Sequence, residues 1–503
     1  MKSFPRIPAQ ILFLTILEQY TRSSYQTSPE LTIMKPLQRT ASNSNAFPVK
    51  ILQFGFGNFL RGFADWMVEE ANEKGIFQGN IQVVQIHSKH LDPKIMRQDG
   101  LFHVIERGLS QGALIDHAQL ITCVTGVTSI FEDYEGYLKL GENPALEFII
   151  SNTTESGIYF DSEDFPIESI SKTFPGKLTA LLFNRFLHFS GDPERGLIFL
   201  PCELIEKNGQ QLKSCILSYA EKWDLPEGFS DWISNHNIFC DTLVDRIVPG
   251  YPKAEIAEIE EKIDCKDELA VMVEPYHFWA IQGPEEVRER FPLDHAGLNV
   301  KFVEDLSPYR TMKVRILNGA HTTLVPYAYL HGFRTVGESV EDPGLLVFLE
   351  HAIYEEIIPS MEYSEEELTD FAKDVLERFA NPFIRHELKS IALNSISKFK
   401  VRVLPSLLSY WEKNQSWPAN LTMGFASLIL FYKGDFKGET LPLNDDPTVI
   451  SIFSKAWSKP NLVDTLTEVC TNQTLWGQDL SRYEGLISML ESCIQRLITS
   501  TKP

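Results

Sequence analysis

The chain changes from a strand pattern to a helix pattern at Val49-Lys50-Ile51-Leu52-Gln53-Phe54-Gly55-Phe56-Gly57-Asn58. Residues 49–54 are mostly apolar and predict a short buried strand. Apolar residues then recur at helical spacing from Phe59 to Ala71, and the apolar run at 81–86 predicts a second strand. Strand, glycine turn, helix and strand form one βαβ unit, which predicts a parallel sheet with a right-handed crossover.

Two further strands are predicted at residues 146–151 and 197–201. They end in the polar loops Asn152-Thr153-Thr154-Glu155 and Cys202-Glu203. In open parallel sheets, ligands bind beyond the carboxyl ends of the strands, so we expect cofactor contacts in these loops. The sequence therefore predicts an α/β fold class with an N-terminal Rossmann-type parallel-sheet domain.

The C-terminal part of the chain favours helices. Helix-compatible segments occupy 313–331, 343–360, 364–379, 384–397, 420–432 and 479–498. We predict an N-terminal extension over 1–46, a Rossmann-type dinucleotide-binding domain over 47–295 and a mostly α-helical substrate and catalytic domain over 296–503. The active cleft is expected between the two domains.

The first 33 residues precede this scheme. Their apolar run, Ile11–Leu17, is far shorter than the roughly 20 residues that a membrane-spanning helix needs. No small-residue cleavage site follows it, and Met34 lies shortly before the first predicted strand. We expect residues 1–33 to be an extension or the product of an upstream start, not a targeting signal.

The charge balance limits the partners. The chain carries 46 basic and 68 acidic residues, a net charge of -22. Nucleic acids and anionic membranes attract basic surfaces, so neither is expected as a partner. An anionic small molecule can be bound only where Lys, Arg and His are concentrated in one cleft.

The seven cysteines are scattered and form no Cys-x-x-Cys pair. This spacing predicts neither a disulfide framework nor a structural zinc site. A reducing cytoplasm is the expected compartment. The oligomeric state is left open between monomer and dimer.

The turn Gly55-x-Gly57 is a candidate dinucleotide-binding site. Glycines let backbone N–H groups approach a pyrophosphate at the positive end of the following helix. Leu60 stands where a third glycine is usual, and an ordinary strand-to-helix turn is the alternative. Arg61 is expected to reach the phosphates or to be a solvated charge. No carboxylate follows the second strand before Asp92, so residue chemistry does not decide between NAD and NADP.

The segment 312–321, MKVRILNGAH, carries three polar groups suited to carbonyl chemistry. At about 100° per residue, Lys313, Asn318 and His321 lie at about 0°, 140° and 80° around a helix, on one side of it. A lysine can act as general acid or base, an amide can stabilise an alkoxide-like oxygen, and a histidine can position a hydroxyl. A buried polar helix face satisfied by neighbouring loops is the alternative.

The order Lys-x-x-x-x-Asn-x-x-His resembles the signature of the polyol-specific long-chain dehydrogenases, the mannitol dehydrogenase family. The resemblance covers nearly the whole chain from about residue 47. It includes QFGFGNFLR at 53–61, SNTTE at 151–155, PCELI at 201–205, VDRI at 244–247 and RFANP at 378–382. So many matches in the same order are not expected by chance.

The resemblance implies a metal-independent oxidoreductase that uses NAD. It implies Lys313 as the general acid/base, Asn318 as an oxyanion-hole donor and His321 as a substrate-orienting group. It also implies that the cofactor is held by the glycine turn and the loop after residue 151, through Gly55, Gly57, Asn58, Phe59, Leu60, Arg61, Asn152 and Thr153.

The glycine turn and the 201–205 stretch are most similar to the branch of the family that acts on keto-hexuronates. We therefore expect interconversion of D-tagaturonate and D-altronate in hexuronate catabolism, with a sugar acid as the small-molecule substrate. A fructuronate reductase or a mannitol-type polyol dehydrogenase is the alternative of the same class. A dinucleotide-binding sensor without activity is the alternative of another class.

One departure from the family concerns the second oxyanion donor. Mannitol dehydrogenase-like members carry Cys-Asp-Asn-Leu, in which the asparagine supplies that donor. This chain reads Cys202-Glu203-Leu204-Ile205, and Leu204 has no group that could donate.

Substrate binding is expected at a basic cluster, residues 397–402, in an otherwise acidic protein. Family members use a basic residue here, and a hexuronate carboxylate needs such a partner. We expect Lys398 nearest the carboxylate, with Arg402 and His386 as further candidates and a solvated helix end as the alternative. Asp245 is expected to bind substrate or to bond His or Lys groups in the cleft; an ion pair with Arg246 is its alternative.

Overall fold

The computed structural model describes residues 34–154 and 156–499. The expectations for residues 1–33, for Glu155 and for residues 500–503 lie outside the described residues. The strands are β1 Val49–Phe54, β2 Asn80–Gln85, β3 Phe102–Ser110, β4 Ala113–Ile121, β5 Val124–Ser129, β6 Phe148–Ser151, β7 Ile198–Pro201, β8 Ile238–Phe239, β9 Asp241–Asp245, β10 Val271–Val273, β11 Phe278–Gln282, β12 Val300–Val303, β13 Asp435–Phe436 and β14 Glu439–Thr440.

Six parallel strands form the main sheet of the N-terminal half, in the order β5-β2-β1-β6-β7-β8. Strands β1, β2, β6 and β7 confirm the four that the sequence predicts. Their apolar runs are buried because helices cover both faces of a parallel sheet. Strand β2 pairs with one edge of β1, and β6, which comes later in the chain, pairs with the other edge. This reversal is the switch point at which α/β sheets bind ligands.

Two three-stranded sheets, β10-β3-β4 and β12-β11-β9, were not predicted. The first contains an antiparallel hairpin that pairs Phe102 with Ile121, joined by the distant strand β10. The second pairs β11 with β9 antiparallel and with β12 parallel. The pairing of β10 with β3 and of β9 with β11 joins segments that are distant in sequence and depends on tertiary packing more than on local propensity, whereas the β3–β4 hairpin is local.

The helices of the N-terminal half lie between and around these strands. The α-helices are Asn58–Leu60, Trp66–Glu73, Pro93–Arg97, Tyr134–Lys139, Phe174–His188, Asn208–Lys222, Glu227–Asn235, Ile256–Ile263 and Glu285–Arg290. A π-helical segment, Arg61–Asp65, joins the first two.

The C-terminal half is mostly helical, as predicted. Its α-helices are Ser307–Met312, Gly319–Leu330, Val336–Glu341, Pro343–His351, Glu365–Phe379, Leu388–Ile391, Ser395–Arg402, Leu404–Asn414, Ala419–Phe431, Pro447–Trp457, Leu462–Thr471, Gln473–Trp476 and Leu486–Thr499. Two further π-helical segments are Lys313–Asn318 and Ala352–Ile357.

Two helices, Gly319–Leu330 and Ala419–Phe431, form the centre of this half. Nearly all their residues are buried, as expected for helices that are apolar on every side. They approach closely, because a Cβ placed on Gly424 would lie 2.6 Å from Thr323 Cγ2. The helix that carries His321 is therefore fixed in a packed core.

The predicted single helix over 384–397 was wrong. The structure has two helices there, Leu388–Ile391 and Ser395–Arg402, with a break at Asn394. Asn394 has φ +51°, a left-handed conformation that an α-helix cannot continue through. The second helix therefore starts later and runs on to Arg402.

Residues 34–46, the described part of the predicted extension, pack on the Rossmann-type domain. Leu37 is buried, and Arg39 donates hydrogen bonds to the carbonyls of Thr122 (3.1 Å) and Val124 (2.7 Å). Within residues 34–154 and 156–499, no helix is both long and apolar enough to cross a bilayer.

Candidate active site

The glycine turn lies at the carboxyl end of β1. Gly55 has φ +106°, a conformation that only glycine adopts without strain. A side chain at Gly57 would meet no atom within 4 Å, so open space lies over the turn. Helical structure begins at Asn58 directly after it. The free N–H groups at the start of this helix are therefore accessible to an anion.

Leu60 and Arg61 lie beneath the turn. Leu60 is buried, and the Arg61 guanidinium donates hydrogen bonds to the Leu269 carbonyl and, at 2.8 Å, to Asn58 Oδ1. Gly62 permits close packing of this helix, because a Cβ there would lie 2.5 Å from Val273 Cγ1. Leu60 could reach a ligand only through its backbone. Arg61 is buried, so the alternative of a solvated charge was wrong, and its contact with phosphate stays a prediction.

The loop after β6 faces the glycine turn. A Cβ on Gly55 would lie 3.8 Å from the Asn152 carbonyl oxygen, which places the two loops side by side. The Asn152 side chain donates to the Cys202 carbonyl at 2.6 Å. The structure thus brings together two sets of residues that the sequence assigns to the cofactor.

Glu203, at the end of β7, fixes this loop. Its carboxylate accepts hydrogen bonds from Thr153 N and Thr153 Oγ1, both at 3.0 Å, and from Ser151 Oγ at 3.1 Å. Burial raises the pKa of Glu203 above its usual range, although these hydrogen bonds oppose the shift. This role was not predicted from the sequence, although a carboxylate after a buried strand at the ligand edge was a usable signal.

We expect Glu203→Ala to raise the dissociation constant for NADH, the expected cofactor, by about 10-fold or more. A hydrogen bond to a charged group is worth about 1.5 to 3 kcal/mol, and its loss releases Thr153. Fluorescence titration with NADH measures the change, and Glu206→Ala serves as the control because Glu206 is an exposed neighbour. Affinity equal to that of the unaltered protein would show that Glu203 does not position the loop.

Lys313 and Asn318 are the ends of a π-helical segment, Lys313–Asn318. Each π turn closes with an i→i+5 hydrogen bond, so residues five apart lie on the same side of the helix. Lys313 and Asn318 therefore point in the same direction, whereas α-helical spacing put them about 140° apart. The expectation of a regular α-helix was wrong here. In the π-helical segment the Lys313 and Asn318 side chains are closer in orientation than in an α-helix. Such π turns are frequent at functional sites.

Lys313 is held by the end of β9. Its Nζ donates to the Val244 carbonyl at 2.8 Å and lies 3.2 Å from Asp245 Oδ1. The lysine side chain is 19% exposed, so it still reaches the cleft. An ammonium has three donors, and one remains for a substrate oxygen.

A buried ion network lies behind the lysine. Arg378 donates to Asp245 Oδ2 at 2.8 Å and to Glu274 Oε2 at 3.0 Å. Burial opposes ionisation of Asp245, but Arg378 and Lys313 together hold its pKa below the usual range. Asp245 is therefore a carboxylate that orients Lys313. Arg246, its alternative partner, instead pairs with Glu106 at 2.8 Å.

Arg378 and Glu274 were missed as site residues. Arg378 opens the RFANP stretch that carries part of the family resemblance, so a signal was present. Glu274 directly follows β10, a strand that was not predicted. The contribution of Glu274 to the site follows only from the structure, in which Arg378 bridges the carboxylates of Asp245 and Glu274.

His321 is buried beside the same network. Its ring stacks on Phe379 with a centroid distance of 4.0 Å and meets His386 edge-on at 5.0 Å. Burial, and then the nearby His386, Arg378 and Arg402, hold the pKa of His321 well below its usual range. The imidazole is thus neutral at physiological pH. Its Nε2 is buried and has no hydrogen-bond partner among the described residues.

The helix Ser395–Arg402 adds two basic side chains. Lys398 Nζ donates to the Ile391 carbonyl at 2.8 Å, and Arg402 is half-buried. Burial is the larger cause of the lowered pKa of Lys398, and the positive charge of Arg402 on the same helix adds to it. Leu204 is 58% exposed, and its aliphatic side chain cannot donate.

Cys202 takes part in this arrangement through its backbone carbonyl, which accepts from Asn152. All seven cysteines are free thiols, and most are buried. Across residues 34–154 and 156–499, no group of three His, Cys, Asp or Glu side chains is placed to hold a metal ion.

Comparison with known proteins covers both halves of the chain. Residues 49–295 match the mannitol dehydrogenase Rossmann domain, and residues 305–498 match the mannitol dehydrogenase C-terminal domain. Altronate oxidoreductase of Yersinia enterocolitica is 41% identical over 473 residues, 93% of this chain and 98% of the relative. The Shigella flexneri protein of the same name is 41% identical over 92% of this chain and 98% of the relative.

Solved structures support the fold. D-sorbitol dehydrogenase in substrate-free form has a TM-score of 0.74 at 22% identity and covers 92% of this chain and 97% of its own. Pseudomonas fluorescens mannitol 2-dehydrogenase, in a ternary complex with NAD and D-mannitol, has a TM-score of 0.63 at 20% identity. It covers 92% of this chain and 94% of its own. With both domain models and whole-length relatives matched, the chain belongs to the mannitol dehydrogenase family.

Proposed function

We propose that the protein is an NAD-dependent altronate oxidoreductase that interconverts D-altronate and D-tagaturonate. The observation that carries the proposal is the Lys313–Asp245 pair, with Asn318 on the same side of the helix and His321 one turn further along. The relatives at 41% identity that bear this activity in their names match over nearly their whole length. A sugar acid is the substrate.

The cofactor is assigned to the edge of the sheet at β1 and β6. The open space over Gly57 leaves room for a pyrophosphate, and the first N–H groups of the helix point to an anion there. Asn152 and Thr153 flank the same space from β6, with Glu203 holding Thr153 in place. Bound NADH supplies the hydride for reduction of the ketone carbon.

Lys313 supplies the proton in this direction. One donor of its ammonium is free for the carbonyl oxygen, while Val244 and Asp245 fix the other side of the group. As the carbonyl becomes an alkoxide, the proton moves from Nζ to that oxygen and gives the secondary alcohol. In the oxidation of the hexonate, Lys313 accepts the hydroxyl proton instead.

Asn318 and His321 act on the substrate without exchanging its proton. The Asn318 amide donates to the oxygen on which negative charge develops, as in an oxyanion hole. His321 is neutral, and its free Nε2 can bond a neighbouring hydroxyl and hold the sugar chain in place. Asp245 acts through Lys313, and the basic helix Ser395–Arg402 is the candidate partner of the carboxylate.

A substrate panel tests the proposal. NADH oxidation is followed with D-tagaturonate, D-fructuronate and D-fructose, and the reverse reaction with D-altronate, D-mannonate and D-mannitol. We expect the highest kcat/KM for D-tagaturonate and D-altronate. A preference for D-fructuronate or for the polyols would contradict the substrate assignment, and no turnover of any pair would favour a binding protein. NADPH in parallel tests the cofactor assignment.

The compartment follows from the same reasoning. Seven free thiols fit a reducing environment, so we place the protein in the cytoplasm.

A further inference from the structure

Arg402 is the last residue of a helix that contacts the helix carrying His321. A Cβ on Gly319 would lie 3.1 Å from the Arg402 carbonyl oxygen, a tight contact that glycine avoids. Gly319 directly follows Asn318 and lies two residues before His321. The backbone of Arg402 is therefore packed against the middle of the candidate active site.

The Arg402 guanidinium has no partner in the described part of the chain. No described carboxylate or carbonyl accepts a hydrogen bond from it, and burial alone lowers its pKa. Its charge is nevertheless felt by two neighbours, because it contributes to the lowered pKa of both His321 and Lys398. A half-buried cation without a counter-charge is unfavourable unless a ligand supplies one.

The other charges of the site balance one another. Lys313 and Arg378 are two cations, and Asp245 and Glu274 are the two carboxylates that they contact. Lys398 gives one donor to the Ile391 carbonyl and is influenced by the negative charge of Asp445. The positive charge that remains without compensation belongs to Arg402.

A second observation points to a ligand at the same place. His321 Nε2 is buried and lacks a hydrogen-bond partner among the described residues, although buried polar atoms are nearly always bonded. Arg402 packs at Gly319, two residues from His321, so a polar anion that reaches both groups would satisfy the atom and the guanidinium. A keto-hexuronate offers hydroxyls along its chain and a carboxylate at the end away from its ketone.

We infer that Arg402, and not Lys398, binds the carboxylate of the sugar acid and makes the enzyme selective for acids over polyols. The inference rests on the proposed function for the identity of the acid. An arginine fork matches a carboxylate with two parallel hydrogen bonds, which Lys398 cannot make. This revises the expectation from sequence that Lys398 lies nearest the carboxylate.

The test compares two ligands that differ only in the carboxylate. D-altronate carries it, and D-altritol has a hydroxymethyl group instead. Dissociation constants for both are measured with NADH present, which cannot accept a hydride from either ligand, in the full-length protein and in Arg402→Met, Lys398→Met and Lys400→Met. Lys400 is the matched control, because it lies exposed on the same helix and its loss removes the same charge.

Arg402→Met is expected to raise the dissociation constant for D-altronate by about 10- to 150-fold, the range that corresponds to the loss of a charged hydrogen bond. The dissociation constant for D-altritol should change by less than about threefold, because D-altritol has no carboxylate for Arg402 to bind. Lys400→Met should leave both ligands unchanged. Thermal midpoint and NADH binding check that each variant is folded.

Two results would overturn the inference. Equal weakening of both ligands would mean that Arg402 holds the cleft together, and selective weakening in Lys398→Met alone would identify Lys398 as the carboxylate partner. If Arg402→Met does not fold, Arg402→Lys keeps the charge but loses the fork, and a smaller loss confined to D-altronate is expected. If the unaltered protein does not oxidise D-altronate, the proposed function fails, and D-mannonate against D-mannitol still tests Arg402.

Discussion

Lys313→Ala is expected to lower kcat by about 100- to 10,000-fold, the usual worth of general acid/base catalysis. In the proposed mechanism the lysine acts on the carbonyl of the substrate and not on the dinucleotide, so NADH should bind with nearly unchanged affinity. Folding should also survive, because Asp245 keeps its pair with Arg378 at 2.8 Å after the lysine is gone. Single-turnover reduction of D-tagaturonate and a separate NADH titration measure the two effects.

Lys313→Arg separates charge from proton transfer. Arginine keeps the positive charge beside Asp245 but cannot give up a proton near neutral pH. We expect it to bind ligands and to remain as inactive as Lys313→Ala. Lys301→Ala is the matched control, since Lys301 pairs with Glu367 at the surface. A Lys313 variant that retains more than about a tenth of the normal rate would remove the lysine from the mechanism.

Asn318→Ala is expected to lower kcat by about 100- to 1,000-fold, the effect of removing one oxyanion-hole donor. The loss should be near the upper end, because Leu204 provides no second donor at the position where related enzymes have asparagine. The local backbone should be preserved, since Thr322 Oγ1 bonds to the Asn318 carbonyl at 2.8 Å and not to its side chain. The effect should appear in kcat and leave NADH binding intact.

Asn318→Asp tests the same group without changing its size. A carboxylate only accepts hydrogen bonds at neutral pH, so it should repel the developing alkoxide and be at least as damaging as alanine. Leu204→Ala is the control and should change kcat by less than about twofold, as expected for an exposed residue. A mild effect of Asn318→Ala would show that another donor stabilises the oxygen.

Local patterns were sufficient for the core of the Rossmann-type sheet. The strands at 49–54 and 146–151 and the glycine turn between strand and helix were read correctly, because apolar runs and glycines act over a few residues. The pairing of β10 with β3 and of β9 with β11 was not, because it joins segments far apart in the chain. The β3–β4 hairpin is local, and its two-residue turn at Gln111-Gly112 was missed. The break at Asn394 was missed for a related reason: its left-handed backbone is not required by its neighbours in sequence.

The sequence by itself determined the family, the parallel sheet and the spacing of Lys313, Asn318 and His321, since all three lie within one short helical stretch. Only the tertiary structure decided what surrounds them. Asp245 meets Arg378 across 133 positions of sequence, and Lys313 meets Val244 across 69. Charge pairing and burial are properties of a site in space, and they distinguish the compensated Lys313 from the uncompensated Arg402. Their partners come from distant parts of the sequence and are brought together only by the tertiary fold.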